Sequence, residues 1–215
     1  MKIKNLGWSS FILNTDKITI ITDPVSLRDS GLSFTKNSVD VVLHTDKKYI
    51  ESENILVDEG ITNKIVPGER NTIIEISSPG EFEIGGVMIR RDVDHSFFTI
   101  DEGALRIVYM GLLGKEFDVS TTKDLGDVDV LILPIGNGDL FIDYEKIEKI
   151  ITNVDPTYLL PCAYKVDGLK VGSEIKSREE FIKYFGFTNV RDETTLTVKP
   201  VAEAEQKNME VIFLK

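Results

Sequence analysis

The chain has 215 residues, with 25 Lys+Arg against 36 Asp+Glu and a net charge of −11. An apolar content of 41% supports a core and excludes a disordered chain, and no run reaches the ~18 apolar residues of a membrane span. The acidity argues against a nucleic-acid binder, because phosphate contacts draw on Lys and Arg; Arg90-Arg91 is too short to form a basic patch. The opening Met1-Lys2-Ile3-Lys4-Asn5-Leu6-Gly7 has no apolar signal-peptide core. The single cysteine, Cys162, cannot close an internal disulfide. Together these features predict a soluble, cytoplasmic protein.

From the N-terminus, Ser10-Phe11-Ile12-Leu13 and Ile18 to Thr22 are β-rich runs joined by the turn composition Asn14-Thr15-Asp16-Lys17. Residues 25–38, rich in Ser, Gly and Asn, read as a loop. Val39-Asp40-Val41-Val42-Leu43-His44 is a nearly continuous apolar run, as in a strand covered on both faces. Short strands follow at Ile55 to Val57, Thr72 to Ile76, Glu81 to Ile84, Val87 to Arg90, Phe97 to Ile100 and Leu105 to Tyr109.

The second half alternates strand and helix. Val128 to Leu133 is a buried-type strand. Asp143 to Ile151 carries apolar residues at 144, 147, 150 and 151, a helical stripe with Asp143 as N-cap. Thr157 to Leu160 reads as a strand stopped by Pro161. Ser177-Arg178-Glu179-Glu180 reads as a capping box, opening a helix that runs to Phe185 and ends at Gly186. Thr194 to Val198 and Glu210 to Leu214 close the chain as strands. No repeat or Pro/Ser-rich linker divides the sequence, so residues 1–215 read as one domain: two sheets packed together with helices outside.

Several segments, in order, resemble the small compact branch of the metallo-β-lactamase-fold hydrolases. Leu6-Gly7-Trp8-Ser9-Ser10-Phe11 is similar to that branch's opening Leu-Gly-His-Ser-x-Phe, and Ile20-Ile21-Thr22-Asp23-Pro24 to its strand ending in Thr-Asp-Pro. Ser78-Pro79-Gly80-Glu81-Phe82-Glu83-Ile84-Gly85-Gly86-Val87 resembles its Pro-Gly-Glu-Tyr-Glu hairpin. Tyr109-Met110-Gly111-Leu112-Leu113-Gly114 stands where the family has His-Leu-Gly-Asp-Leu-Gly. Val128 to Gly136 resembles Val-Asp-Val-Leu-Leu-Ile-Pro-Val-Gly, and Leu160-Pro161-Cys162-Ala163-Tyr164 stands where the family has Ile-Pro-x-His-Tyr. The resemblance implies an α/β fold of the αββα sandwich type, two mixed β-sheets face to face with helices outside.

It also implies a metal centre. The family holds a pair of Zn²⁺ or similar ions on a His-x-His-x-Asp-His loop, a bridging Asp and a late His. The metal lowers the pKa of bound water from 15.7 to about 7 and so makes it a nucleophile at neutral pH. In this chain the corresponding loop reads His44-Thr45-Asp46-Lys47-Lys48-Tyr49. His44 matches the first His, while Asp46, Lys48 and Tyr49 replace the other three ligands. Leu112 replaces the bridging Asp, Ala163 the late His and Trp8 the opening His. The chain has only two histidines. Lys47 and Lys48 would place ammonium groups beside a cation unless they turn outward, and Leu112 and Trp8 are expected to fill the metal space.

The residues that remain have a functional and a plain reading. His44 with Asp46, at i and i+2, is either a lone metal-ligating pair or a remnant in a polar loop, the latter favoured. Asp23 reads, by resemblance, as an acid that supports the metal ligands from behind, as a turn cap, or both. His95 reads as a surface or strand-edge histidine, and Glu81 and Glu83 as a solvated face. Cys162 reads as a buried filler, since a reactive thiol needs a neighbouring base or cation. Gly136-Asn137-Gly138 lacks phosphate-loop spacing and reads as a turn.

The expectation is therefore a metallo-β-lactamase fold with a dismantled metal centre, its remnants His44, Asp46 and Asp23. The role expected is non-catalytic: a scaffold, binder or assembly subunit, with no cofactor. The alternatives are a Zn-dependent hydrolase with a reduced site and a nuclease-like hydrolase. An unidentified small molecule or protein is the expected partner, with no nucleic acid and no membrane. A homo-oligomer through a hairpin surface bearing Phe82, Phe97 and Phe98 is also an expectation, against the reading that Phe97 and Phe98 are both buried, one in each layer.

Overall fold

The structure is a computed structural model that describes residues 1–68, 70–93, 96–171, 174–199 and 208–215. The strands of the first half are β1 (Lys2–Gly7), β2 (Ser10–Asn14), β3 (Thr19–Thr22), β4 (Asn37–Val39), β5 (Val41–Leu43), β6 (Ile65–Pro67), β7 (Ile74–Ile76), β8 (Gly80–Ile84) and β9 (Val87–Arg91). Those of the second are β10 (Phe98–Glu102), β11 (Leu105–Tyr109), β12 (Val130–Pro134), β13 (Tyr158–Cys162), β14 (Val190–Glu193), β15 (Leu196–Thr197) and β16 (Glu210–Leu214). The helices are α1 (Pro24–Asp29), α2 (Ile55–Asp58), α3 (Tyr144–Val154) and α4 (Arg178–Phe185).

Two mixed sheets carry the architecture, with spatial orders β15-β1-β2-β3-β5-β7 and β14-β16-β13-β12-β11-β10-β9-β8; β4 and β6 pair separately. Alternation along the strands sorts side chains into layers. Ile20, Val41, Leu43, Ile107, Val130 and Ile132 point into the core between the sheets. Val108, Leu131 and Leu133 face outward under α3 and α4, with Ile147, Ile150 and Phe181. On the other side Ile21 and Val42 face Val25, Ile55 and Leu56 from α1 and α2. This is the αββα sandwich, and each central strand is apolar on both faces because both are covered. Among the described residues no helix is long and apolar enough to cross a membrane.

Helix signals hold closely. Asp143 accepts from the Lys146 amide at 2.8 Å and caps α3. Ser177 and Glu180 form the reciprocal capping box, and Gly186 closes α4 at φ 66°.

Five local expectations are corrected. Ile55 to Val57 is helical, with the Leu56 amide donating to Glu75 Oε2 at 3.0 Å; Ile55 and Leu56 go to the core and Val57 to solvent. Such a short apolar run carries no helix-versus-strand information. Residues 25–38 contain α1, started by Pro24 at its first turn, and β4. The run 39–44 breaks at Asp40, whose Oδ2 accepts from the Thr19 amide at 2.9 Å. Pro161 does not stop β13; it pairs with Leu133 on β12, beyond the pairing with β16 that ends at Leu159↔Val211, so its missing N–H removes no ladder bond. Phe97 and Phe98 are both buried, one in each layer, and Phe82 is half-buried against the inner core, so the hairpin presents no such aromatic surface.

Candidate functional site

Parallel strands β3, β5 and β7 end side by side, in the register Thr22↔Leu43↔Ile76. Facing them, β11, β12 and β13 also run parallel and end together. The loops that leave these carboxyl ends converge, which is where α/β sheets bind ligands. A cavity of about 620 Å³ opens there, lined by apolar Trp8, Val25, Leu112, Phe117, Leu140 and Phe141 and by polar residues that include Asp23, His44, Thr45 and Asp46. The expectation that Trp8 and Leu112 plug this space is therefore wrong. Trp8 leans on Phe141 with ring centroids 5.6 Å apart, and Leu112 is half-buried along the wall.

Backbone strain concentrates here. Trp8 (φ 54°), Asp23 (φ 40°) and Ala163 (φ 51°) hold left-handed conformations without being glycine. Each costs on the order of 1 kcal/mol and persists only because its surroundings over-determine it. At Gly111 (φ 59°) the positive φ and a close approach coincide, since any Cβ would collide with the Thr45 side chain.

Asp23 is buried, and its carboxylate is fully engaged. Oδ1 accepts from the Thr45 amide at 2.7 Å, and Oδ2 lies 2.5 Å from both Thr45 Oγ1 and the Tyr109 hydroxyl. Burial pushes the Asp23 carboxyl above its ordinary value, against the pull of these hydrogen bonds. The Tyr109 hydroxyl also lies 2.9 Å from Ser9 O, so its one proton has two acceptors. Burial, reinforced by Asp23, pushes that phenol well above its usual range.

Arg91 lies behind the loop, 2% exposed. Its Nη1 donates to His44 O at 2.9 Å and Ser77 O at 2.6 Å, and its Nη2 to Thr45 O at 3.3 Å. Burial lowers its pKa, and the neighbouring Asp23 opposes that shift. A buried guanidinium and a buried carboxyl thus grip the same dipeptide, His44-Thr45, from its carbonyl and amide sides.

His44 is 1% exposed and its Nε2 is 3.2 Å from Glu75 Oε2. A carboxylate only accepts, so the network assigns the proton to Nε2, and Nδ1 has no partner among the described residues. Asp46 accepts from the Lys48 amide at 3.0 Å and caps the short 3₁₀ turn Lys47–Tyr49. Lys48, half exposed at the cavity, lies 3.7 Å from Asp46 Oδ2 and 4.6 Å above the Tyr49 ring. Tyr49 donates to Glu59 Oε1 at 2.6 Å, and burial with that bond pushes its pKa up to about 12.

His44, Asp46 and Asp23 therefore line one cavity, and each has a partner of its own: His44 Nε2 with Glu75, Asp46 with a turn amide, Asp23 with Thr45 and Tyr109, while His44 Nδ1 has none among the described residues. Among the described residues no group of three or more His, Cys, Asp or Glu is arranged to hold a metal ion. With Leu112, Ala163 and Trp8 offering no donor, the described residues do not fit the paired-metal centre that the resemblance implies. Cys162 is buried and its thiol pushed well up by burial, as a filler should be. His95 lies outside the described residues.

Sequence reasoning missed Thr45, Tyr109, Glu75 and Arg91. Arg91 had a signal: Val87, Ile89 and Arg91 alternate onto the inward face of β9. Glu75 had a weaker one, a lone carboxylate among Ile73, Ile74 and Ile76.

Two mixed sheets face to face, with a cavity at the ends of their parallel strands, define the metallo-β-lactamase class of fold. A family profile described as the Beta-lactamase superfamily domain matches residues 2–163, and the chain belongs to that family. A candidate Zn-dependent hydrolase of the metallo-β-lactamase superfamily from Thermotoga maritima is similar in structure, with a TM-score of 0.72, 20% identity and 100% of both chains covered. The metallo hydrolase Igni18 from Ignicoccus hospitalis gives a TM-score of 0.62 at 18% identity, over 92% of this chain and 99% of that one. An isothiocyanate hydrolase from Delia radicum gut bacteria gives 0.56 at 10% identity, over 86% and 91%. At these identities the likeness is one of fold. No curated protein matches the sequence.

Proposed function

We propose that this protein is a non-catalytic member of its family that binds a small molecule in the cavity at the strand ends. The observation that carries this is the pairing of an open space of about 620 Å³ with an inward acid, Asp23, already engaged by Thr45 and Tyr109. A hydrolytic metal needs open donors converging on one point; an engaged carboxylate and apolar residues at the ligand positions support binding instead. The volume falls within the ~300–1,000 Å³ of small-molecule sites. The competing reading, a hydrolase with a reduced, rearranged metal site around His44, Asp46 and Asp23, draws on the names of the similar structures. Elemental analysis of protein purified without a histidine tag, with thermal unfolding in EDTA, separates the two. Binding without metal predicts far less than one metal per chain and an unchanged midpoint, because a chelator destabilises only what a metal holds. Stoichiometric metal, or a midpoint lowered by many degrees, overturns it.

A further inference from the structure

We infer that the cavity takes an uncharged molecule of two or three rings, an inference that rests on the binding role proposed above. The lining is the first reason: Trp8, Phe141, Phe117, Leu112 and Leu140 all line the space. Trp8 and Phe141 line it in mutual contact at an interplanar angle of 53°, a tilted aromatic pair that a further ring can join. Size is the second. A cavity of roughly 150 Å³ holds a benzene, so about 620 Å³ has room for several fused or linked rings.

Charge is the third reason, and it decides against an ion. The lining carries lysines at 47, 48 and 115 and carboxylates at 23, 29, 46 and 116, so neither sign dominates. Most of these are already paired: Lys48 with Asp46 at 3.7 Å, Lys115 with Asp139 at 3.5 Å, Asp29 with Arg28 at 2.6 Å. An anionic ligand would also approach a chain of net charge −11, whose field opposes it. A cation would gain that field but would have to shed its hydration against an aromatic and aliphatic wall. An uncharged ring system meets neither cost.

The chain has one tryptophan, and it lines this cavity, so binding here reports on itself. N-phenyl-1-naphthylamine and 8-anilino-1-naphthalenesulfonate share one ring skeleton and differ by a sulfonate. With excitation of Trp8, titration of the uncharged probe should quench tryptophan emission as probe emission rises. Its affinity should exceed that of the sulfonate by at least about tenfold, a 1.4 kcal/mol difference. Leu112→Glu, on the half-exposed wall, should weaken the uncharged probe by a similar factor while the far-ultraviolet circular dichroism stays that of the parent. Tighter binding of the sulfonate overturns the uncharged class and leaves the binding role standing. Probe binding without energy transfer from Trp8, or no binding by either probe, overturns both.

Discussion

On one side of the cavity the segment after β5 is held by charge and hydrogen bonds: Arg91 on the carbonyls of His44 and Thr45, Asp23 on the Thr45 amide and hydroxyl. On the other, the segments after β11 and β13 are held by packing. Met110 and Leu113 are buried under the outer helices, Trp8 rests on Phe141, and Ala163 sits in a left-handed turn whose amide donates to Trp8 O at 3.1 Å. Both sides occupy positions where the family resemblance implies metal ligands. The polar side holds a demanding conformation with internal hydrogen bonds. The apolar side is held by side chains that need no partner.

The two kinds of wall should fail differently. Arg91→Leu should cost most, about 3–5 kcal/mol by urea denaturation, because it orphans three buried carbonyls beside a buried acid. A cost under about 1 kcal/mol would mean that packing also holds the polar side. Asp23→Ala should cost about 2–3 kcal/mol. Asp23→Asn should cost less, since its amide oxygen still serves the Thr45 N–H and Tyr109 can donate to Ser9 O.

The same pair gives a pH dependence. The folded Asp23 carboxyl is raised above 3.8, so the folded chain holds that proton more tightly than the unfolded one. Its contribution to stability is complete below pH 3.8 and is lost as pH rises through the folded value. The stability of the parent relative to Asp23→Asn should therefore fall with rising pH over that window. A difference that is flat with pH would place the carboxyl at its ordinary value.

On the apolar side the effects should be smaller. Leu112→Asp should cost about 1 kcal/mol, because the half-exposed carboxylate can reach water and only part of a leucine's burial is lost; a loss near 4 kcal/mol would mean the cavity is closed in solution. Ala163→Gly should gain up to about 1 kcal/mol by relieving the left-handed backbone at φ 51°, offset in part by the greater freedom of glycine in the unfolded chain.

The sequence made the layers legible and the cavity illegible, for physical reasons. Alternation at Ile20-Ile21, Val41 to Leu43 and Val130 to Leu133 sorts inner from outer faces with no tertiary knowledge, and the caps at Asp143 and Ser177 are local chemistry. Ile55 to Val57 failed because its helix depends on Glu75, nineteen residues from the Leu56 amide it accepts. The open cavity was hidden because volume depends on where a ring goes: the left-handed backbone of Trp8 carries its ring onto Phe141, and no pattern around residue 8 encodes that. The departures from the family pattern were visible residue by residue, but the bonds made around them were not, since Asp23 and Tyr109 meet across 86 positions.

The most direct test of the polar latch reads the His44 ring in ¹⁵N-histidine-labelled protein while Zn²⁺ is added. The chain has two histidines, so assignment needs one substitution, His95→Gln. The account predicts that His44 Nε2 carries a proton directed at Glu75, and that the His44 signals stay in place through one equivalent of zinc. Displacement or broadening of the His44 nitrogens that saturates at one zinc per chain would contradict it.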